Sequence, residues 1–380
     1  MRIVILYGIL ALALLLYSFT QVDLGMTLTQ VSIWQSFQKQ FQYVGYFNRP
    51  LSTLLFISIL SAYFLAYIGV LWAVLKRKIS SKTMWLAIIV TAGILVFSYP
   101  AFSYDFFNYL FTAKTVLVYH KNPYLVIPLQ FAGVDPWLSF MHWTHLPSAY
   151  TPLWILVTLP PFFFGFGYFL LLLWGLKAVM VGAYIFTIIG IGKILEKVDR
   201  EYMYIGMASF AFNPLIIIES LVSSHNDIVM MALAVWAIVF FQQKKHWISW
   251  ILLSLSIGMK LMTIFLIPSF MTGWKRNTML IFMGIGFMAV LSQREVLSWY
   301  WVWIVPFISL MPRKWNLFII SYGISMGLLL RYAPFLYYGN WDSPVPQMKL
   351  WVTVIPIVLA ILIASGRFLF LKRNIHYFFD

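Results

Sequence analysis

The sequence predicts an all-α polytopic membrane protein, and three observations carry that prediction. Hydrophobic residues make up 62% of the 380 positions, enough for about eleven or twelve spans of ~20 apolar residues each. Charged residues are only 10% of the chain, against ~25% in a typical soluble domain. The charge is also lopsided, with 26 Lys and Arg against 11 Asp and Glu. The basic residues gather in short clusters between apolar runs, as cytoplasmic loops do. With a mean hydropathy of +0.87 there is no soluble surface on which the formal +15 would engage nucleic acid. The lack of cysteine excludes a disulfide framework, Cys-ligated metals or clusters, and thiol catalysis.

Taken in order, residues 3–19 follow Arg2 with an apolar run and no small-x-small cleavage site, so they read as a first span rather than a signal peptide. A loop at 20–50 leads to a span at 51–75, which ends on Lys76, Arg77, Lys78 and Lys82. A third span, 84–102, precedes the longest non-spanning stretch, 103–150. The apolar run 151–164 contains Pro160 and Pro161 and is too short to cross unaided, which predicts a re-entrant segment. Further spans are expected at 166–190, 203–222 and 228–242, then a hairpin of two short helices at 247–273 with Gly258 and Lys260 at its middle. The last spans are expected near 278–292, 299–311, 315–336 and 350–366.

With both termini cytoplasmic, 17 of the 26 basic residues fall in the short inner segments, Lys372 and Arg373 among them. This predicts a multi-pass plasma-membrane protein in which one membrane domain occupies 1–380. Residues 103–165 form its outer loop, with juxtamembrane and re-entrant helices. No internal repeat or low-complexity block divides the chain.

The acidic residues are scarce, and Asp23, Asp105, Asp135, Asp227, Glu295 and Asp342 fall in the outer segments. Glu219 lies in the last outward turn of a span; Glu196, Asp199, Glu201 and Asp380 are inside. Carboxylate chemistry is therefore expected on the outer face. If 104–117 is helical, Asp105, Asn108 and Thr112 form a polar stripe at i, i+3, i+7; equally, Asp105 suits a helix N-terminus through the macrodipole. His225-Asn226-Asp227 offers a second carboxylate or a metal ligand pair, although Asn and Asp are ordinary helix caps. His142 and His145 have a zinc-compatible spacing but no evident third ligand, so they read as interfacial imidazoles. An ionised Lys260 at membrane depth costs ~3 kcal/mol or more and marks a partner or a pathway, unless it snorkels to interfacial water. Snorkelling is the plainer reading for Lys177 and Arg331. Arg294 stands at the outer boundary, suited to a phosphate, and belts such as Trp299-Tyr300-Trp301-Val302-Trp303 are ordinary interfacial anchors that also stack on sugars.

Together these segments resemble a known family. Ser103-Tyr104-Asp105-Phe106-Phe107-Asn108-Tyr109 after a span resembles the first outer loop of the GT-C superfamily of polyprenyl-phosphate-sugar-dependent glycosyltransferases. Asn122-Pro123-Tyr124 is similar to an element of its bacterial alpha-mannosyltransferase-like branch. So is Ser148-Ala149-Tyr150-Thr151-Pro152-Leu153-Trp154, with Ala149 and Thr151 where the branch has Pro and Gly. Asn213-Pro214 with Glu219 and His225-Asn226-Asp227, Gly258-Met259-Lys260, and Trp299-Tyr300 with Trp303 follow in the family's order. Leu261 stands where that branch commonly has Pro.

The resemblance implies a GT-C-like bundle of about 11–13 transmembrane helices with outer-face juxtamembrane helices. It also implies transfer of a hexose, mannose first, from a polyprenyl-phosphate sugar to a hydroxyl of a glycan or lipid acceptor, with inversion. Under it Asp105 is the general base and Asp227 or Glu219 orients the acceptor. Lys260, supported by Arg294 or His225, binds the phosphate, while Asn108, Tyr150 and Trp154 complete the pocket. The donor is a substrate, so no cofactor or metal is expected; the partners are membrane lipids and the two substrates. The competing readings are a transporter or lipid flippase, which would favour inverted repeats and midplane acids, and an assembly protein without chemistry, which leaves the long outer segment without a purpose.

Overall fold

The computed structural model describes residues 1–376, with side chains through Arg367. Asp380, assigned to the inner side, lies outside the described residues, as do the side chains of Lys372 and Arg373. Every regular element among the described residues is helical. Five helices are long and apolar enough to cross a membrane: Arg2–Phe19, Arg49–Leu75, Phe169–Val198, Trp315–Tyr338 and Val345–Arg367. Arg200–Ala211 and Pro214–Val222, bent by 48° at their junction, make a sixth if taken together. The rest of the expected eleven to thirteen spans resolve into apolar helices of 10–17 residues: Ser81–Leu95, Pro152–Phe163, Asp227–Gln242, His246–Met259, Leu261–Met271 and Arg276–Leu291.

Local signals explain the helix starts. Asn48 accepts from the Leu51 amide at 3.4 Å, Ser80 from Thr83 at 3.1 Å, and Thr151 from Trp154 at 3.3 Å, each satisfying an orphan N–H. Pro50 and Pro152 stand in the first turns of the first and third of these helices, where a missing amide costs nothing. The long helices are apolar all round. Their outward residues, such as Ile5, Leu54, Leu65 and Leu362, are exposed, as a lipid-facing surface requires.

The last two spans pack through glycine: the Gly323 and Gly327 positions meet the Pro356 and Thr353 backbone so closely that a Cβ would collide. The expected span at 299–311 is not one helix. It is a 3-10 turn, Ser298–Trp303, followed by the short helix Val305–Ser309. Pro306 cannot donate into an α-helical ladder, and the indoles of Trp301 and Trp303 are engaged by Ser321 and Asp227 instead.

The core is the stretch from Ile205 to Val235, which is buried almost without interruption. It carries the bent pair into Asp227–Gln242 and so sets the most polar segment of the bundle at its centre. Residues expected on the cytoplasmic side cluster at one end: Arg313 and Arg276 face Asp199, and Arg77 and Arg313 face Glu201. Helices are present where a juxtamembrane and a re-entrant helix are expected, as Asp105–Leu117 and the twelve-residue Pro152–Phe163.

Candidate active site

The helix Asp105–Leu117 buries Phe106, Phe107, Tyr109, Leu110 and Phe111, which turns Asp105, Asn108 and Thr112 toward a cleft. This is the stripe expected from the spacing. The cleft has a cavity volume of about 130 Å³ and is walled also by Trp143, Ser148 and Tyr150. The Tyr150 hydroxyl donates to Asp105 Oδ1 at 3.4 Å, a long bond. Tyr124 donates to the Tyr150 carbonyl at 2.6 Å and Thr112 bonds Ser148 at 3.4 Å, which fixes the 148–150 loop over the helix.

The second group comes from the core. Asn213 caps Leu215 at 2.9 Å, and Pro214 starts a helix that runs into a π-helical turn, Ile217–Val222. Such turns recur at functional sites because they re-aim side chains. Ser224, in the left-handed region at φ 59°, then reverses the chain, and the His225 amide returns to the Glu219 carbonyl at 3.0 Å. His225 Nδ1 consequently lies 3.1 Å from Glu219 Oε2, and its ring stacks on Trp299 with centroids 4.0 Å apart. The Tyr332 hydroxyl donates to Glu219 Oε1 at 2.9 Å.

Asp227 follows at once, fully buried. The Lys260 ammonium lies 2.8 Å from its Oδ1, and the Trp303 indole donates to the same oxygen. Lys260 reaches it because it is an extended residue between His246–Met259 and the 3-10 turn Leu261–Leu266, the hairpin break expected there. Thr151 donates to the Met259 carbonyl at 3.1 Å, tying that break to the re-entrant helix.

Tyr109 joins the two groups. Burial pushes its hydroxyl well above the ordinary phenol range, and Asp105, Tyr150 and Asp227 push it further, so both carboxylates act on one side chain. Beyond the Glu219–His225 contact, Ser220 Oγ, Ser223 Oγ, His225 Nε2 and Asp227 Oδ2 are buried without a hydrogen-bond partner among the described residues. Buried polar atoms are normally paired, so this concentration sets the 220–227 segment apart from the rest of the core.

Asp105, Asn108 and Tyr150 thus share one cleft, and Glu219, His225, Asp227 and Lys260 form the adjoining core cluster. Trp154 does not line the cleft: it is fully buried, packed edge-on against Tyr109, because its helix turns that face into the bundle. Arg294 is exposed and makes no ion pair among the described residues. His225 faces Glu219 rather than Asp227, and no three His, Asp or Glu side chains converge in metal-binding geometry among the described residues.

Lys177 does not snorkel. It is fully buried and donates to Ser98 Oγ and the Leu221 carbonyl at 2.7 Å and to the Val222 carbonyl at 3.2 Å, the end of the π-helical turn. Arg331 pairs with Glu295 instead of reaching for interfacial water. The sequence assigns no site role to Tyr109, Trp303, Tyr332 or Lys349. Tyr109 and Trp303 stand in the motifs that carry the family resemblance, and nothing local marks Tyr332 or Lys349.

A family model described as alpha-(1->6)-mannopyranosyltransferase, N-terminal domain, matches residues 5–276. The chain belongs to this alpha-(1->6)-mannopyranosyltransferase family. It is accordingly a membrane glycosyltransferase of a mannosyltransferase family, using a sugar donor and a glycan acceptor. The matched span holds Asp105, Tyr150, Lys177, Glu219, His225, Asp227 and Lys260, whereas Trp303, Arg331, Tyr332 and Lys349 lie beyond it. Searches of curated proteins and of solved structures return no match to the chain.

Proposed function

We propose that this mannosyltransferase moves mannose from a polyprenyl-phosphate donor to an acceptor hydroxyl on the outer face, in one inverting displacement with Asp105 as base. The acceptor oxygen attacks the anomeric carbon, the bond from that carbon to the phosphate oxygen breaks, and the hydroxyl proton passes to Asp105. The lipid phosphate leaves from the opposite face. Developing positive charge on the sugar ring is stabilised by nearby carboxylates, as in glycoside hydrolysis.

The observation that carries this reading is the setting of Asp105. Its carboxylate lines an open cleft and has one side-chain hydrogen bond, from Tyr150 at 3.4 Å, so it is free to take a proton. Asp227 Oδ2 is a buried acceptor without a partner among the described residues, suited to orienting a sugar hydroxyl. Lys260 holds Asp227 and supplies positive charge on the side of the leaving phosphate. The positive-inside pattern supports an outer position for this end of the bundle.

The test is incubation of the purified protein with labelled polyprenyl-phosphate mannose, glucose and arabinose and a glycan acceptor. Asp105→Asn is expected to abolish transfer while melting like the parent. Transfer retained by that variant removes Asp105 as the base, and label reaching no acceptor removes the donor class.

A further inference from the structure

A second cleft, with a cavity volume of about 330 Å³, lies beside the core cluster and is lined by Glu295, Trp299, Arg331, Tyr332, Trp341 and Lys349. Two of its walls belong to the candidate site: Trp299 stacks on His225, and Tyr332 bonds Glu219. Two cations face it, the side chains of Arg331 and Lys349 being only 11% and 18% exposed. A single carboxylate answers both. Glu295 Oε1 lies 2.6 Å from Lys349 Nζ and also accepts from Arg331 Nη2, yet the Glu295 side chain is 55% exposed.

The charge balance is therefore two positive groups, largely withdrawn from water, against one negative group that is largely in it. Lys349 lies just past the first turn of the long helix that begins at Val345, whose N-terminal dipole favours an anion. Lys349 rests 4.9 Å from the Trp341 ring centroid, which keeps its ammonium at the cleft wall.

We propose that this cleft is a binding site for a phosphate group, and that Glu295 is a placeholder carboxylate which the incoming phosphate displaces. A phosphate offers oxygens enough to take the Arg331 guanidinium in bidentate fashion and Lys349 separately, whereas Glu295 meets both cations through one oxygen. Lys260 is no equivalent of this pair, since its ammonium is held 2.8 Å from the buried Asp227. Displacement is cheap because the half-exposed Glu295 returns to water. The phosphate belongs to a lipid headgroup or arrives as the free anion. Only the assignment of the lipid phosphate to the sugar donor rests on the proposed transfer reaction.

The test uses the full-length protein in detergent, titrated separately with dodecyl phosphate and with inorganic phosphate by calorimetry, without sugar or acceptor. Arg331→Gln and Lys349→Gln are expected to weaken phosphate binding by roughly tenfold or more each, as removal of a charge-assisted hydrogen bond does. Glu295→Gln is expected to strengthen it. Opposite signs from touching residues are not produced by general loosening of the fold, and parent-like melting of Glu295→Gln and Lys349→Gln keeps the comparison fair if Arg331→Gln misfolds. Preference for dodecyl phosphate assigns a lipid headgroup, and equal response assigns the free anion. Unchanged affinity for both probes in the cation variants, or weakened binding in Glu295→Gln, overturns the proposal. Phosphate binding with the expected signs in a protein that transfers no sugar leaves this site standing and removes the transfer reading alone.

Discussion

Replacing Lys177 by Met tests whether a buried ammonium holds the break that presents Glu219, His225 and Asp227. Ser98 donates its own hydroxyl proton to the Leu95 carbonyl at 2.7 Å, so toward Lys177 it acts as an acceptor. The other two partners are the Leu221 and Val222 carbonyls. Three acceptors match the three N–H groups of an ammonium, and they include the final carbonyls of a helical turn, where the dipole favours a cation. Met keeps a stem of similar length and its apolar packing but strands both carbonyls, at ~1–3 kcal/mol each. The Ser224 hydroxyl already reaches them at 3.5 and 3.3 Å and recovers a part. Relief from burying the charge recovers another. A net loss of about 2–3 kcal/mol remains, which lowers the melting transition by about 3 °C. The assay is thermal unfolding in detergent together with sugar transfer measured well below both transitions. Turnover is expected to fall even there, because Ser224 and His225 follow directly from the stapled carbonyls. A Lys177→Met protein that melts and turns over like the parent refutes the role assigned to the ammonium.

Trp303→Phe removes the indole donor to Asp227 and is expected to lower kcat/KM by about ten- to a hundredfold, the worth of one hydrogen bond to a charged group; steady-state kinetics read it. Gly327→Val drives a side chain into the Thr353 backbone and should cost a few kcal/mol through separation of the last two spans, measured by thermal unfolding. His142 packs against Tyr104 with ring centroids 3.7 Å apart, and burial lowers its pKa while Asp23 opposes. A depressed histidine is neutral in the fold and binds protons more readily once unfolded, so stability falls as pH drops through and below the ordinary histidine range. Melting curves between pH 7.5 and pH 5 should show that loss, and His142→Phe should reduce it.

Depth along the chain was legible in the sequence, but direction around a helix was not. Clusters of Lys and Arg between apolar runs located the ends of Arg49–Leu75 and Asp227–Gln242 to within two residues. The i, i+3, i+7 spacing of Asp105, Asn108 and Thr112 by itself places them on one wall, where the structure has them. Lys177 was misread because an apolar helix looks alike on its lipid and core faces, and the residues that claim its ammonium are 79 and 44 positions away. Tyr332 meets Glu219 across 113 positions, a pairing set by the packing of whole helices rather than by any local pattern. Trp303 stood in a run of interfacial-looking aromatics, and only the 3-10 turn started at Ser298 distinguishes an anchor from a hydrogen-bond donor.

The surroundings of the two central carboxylates assign them different work. Asp227 is fully buried, and one of its oxygens is claimed by an ammonium and an indole; taking up a proton would break a charge-assisted pair inside the bundle. Such a group serves as a fixed negative charge and a hydrogen-bond acceptor. Asp105 is at the wall of an open cleft, with one long bond from Tyr150 and no cation paired to it among the described residues. Displacement by a sugar hydroxyl needs both kinds of group, a carboxylate that accepts the proton at the moment of attack and another that keeps its charge throughout. Asp105 is carried by a helix whose Phe106, Phe107 and Tyr109 are buried, so its position relative to Asp227 is set by the packing of that helix against the core.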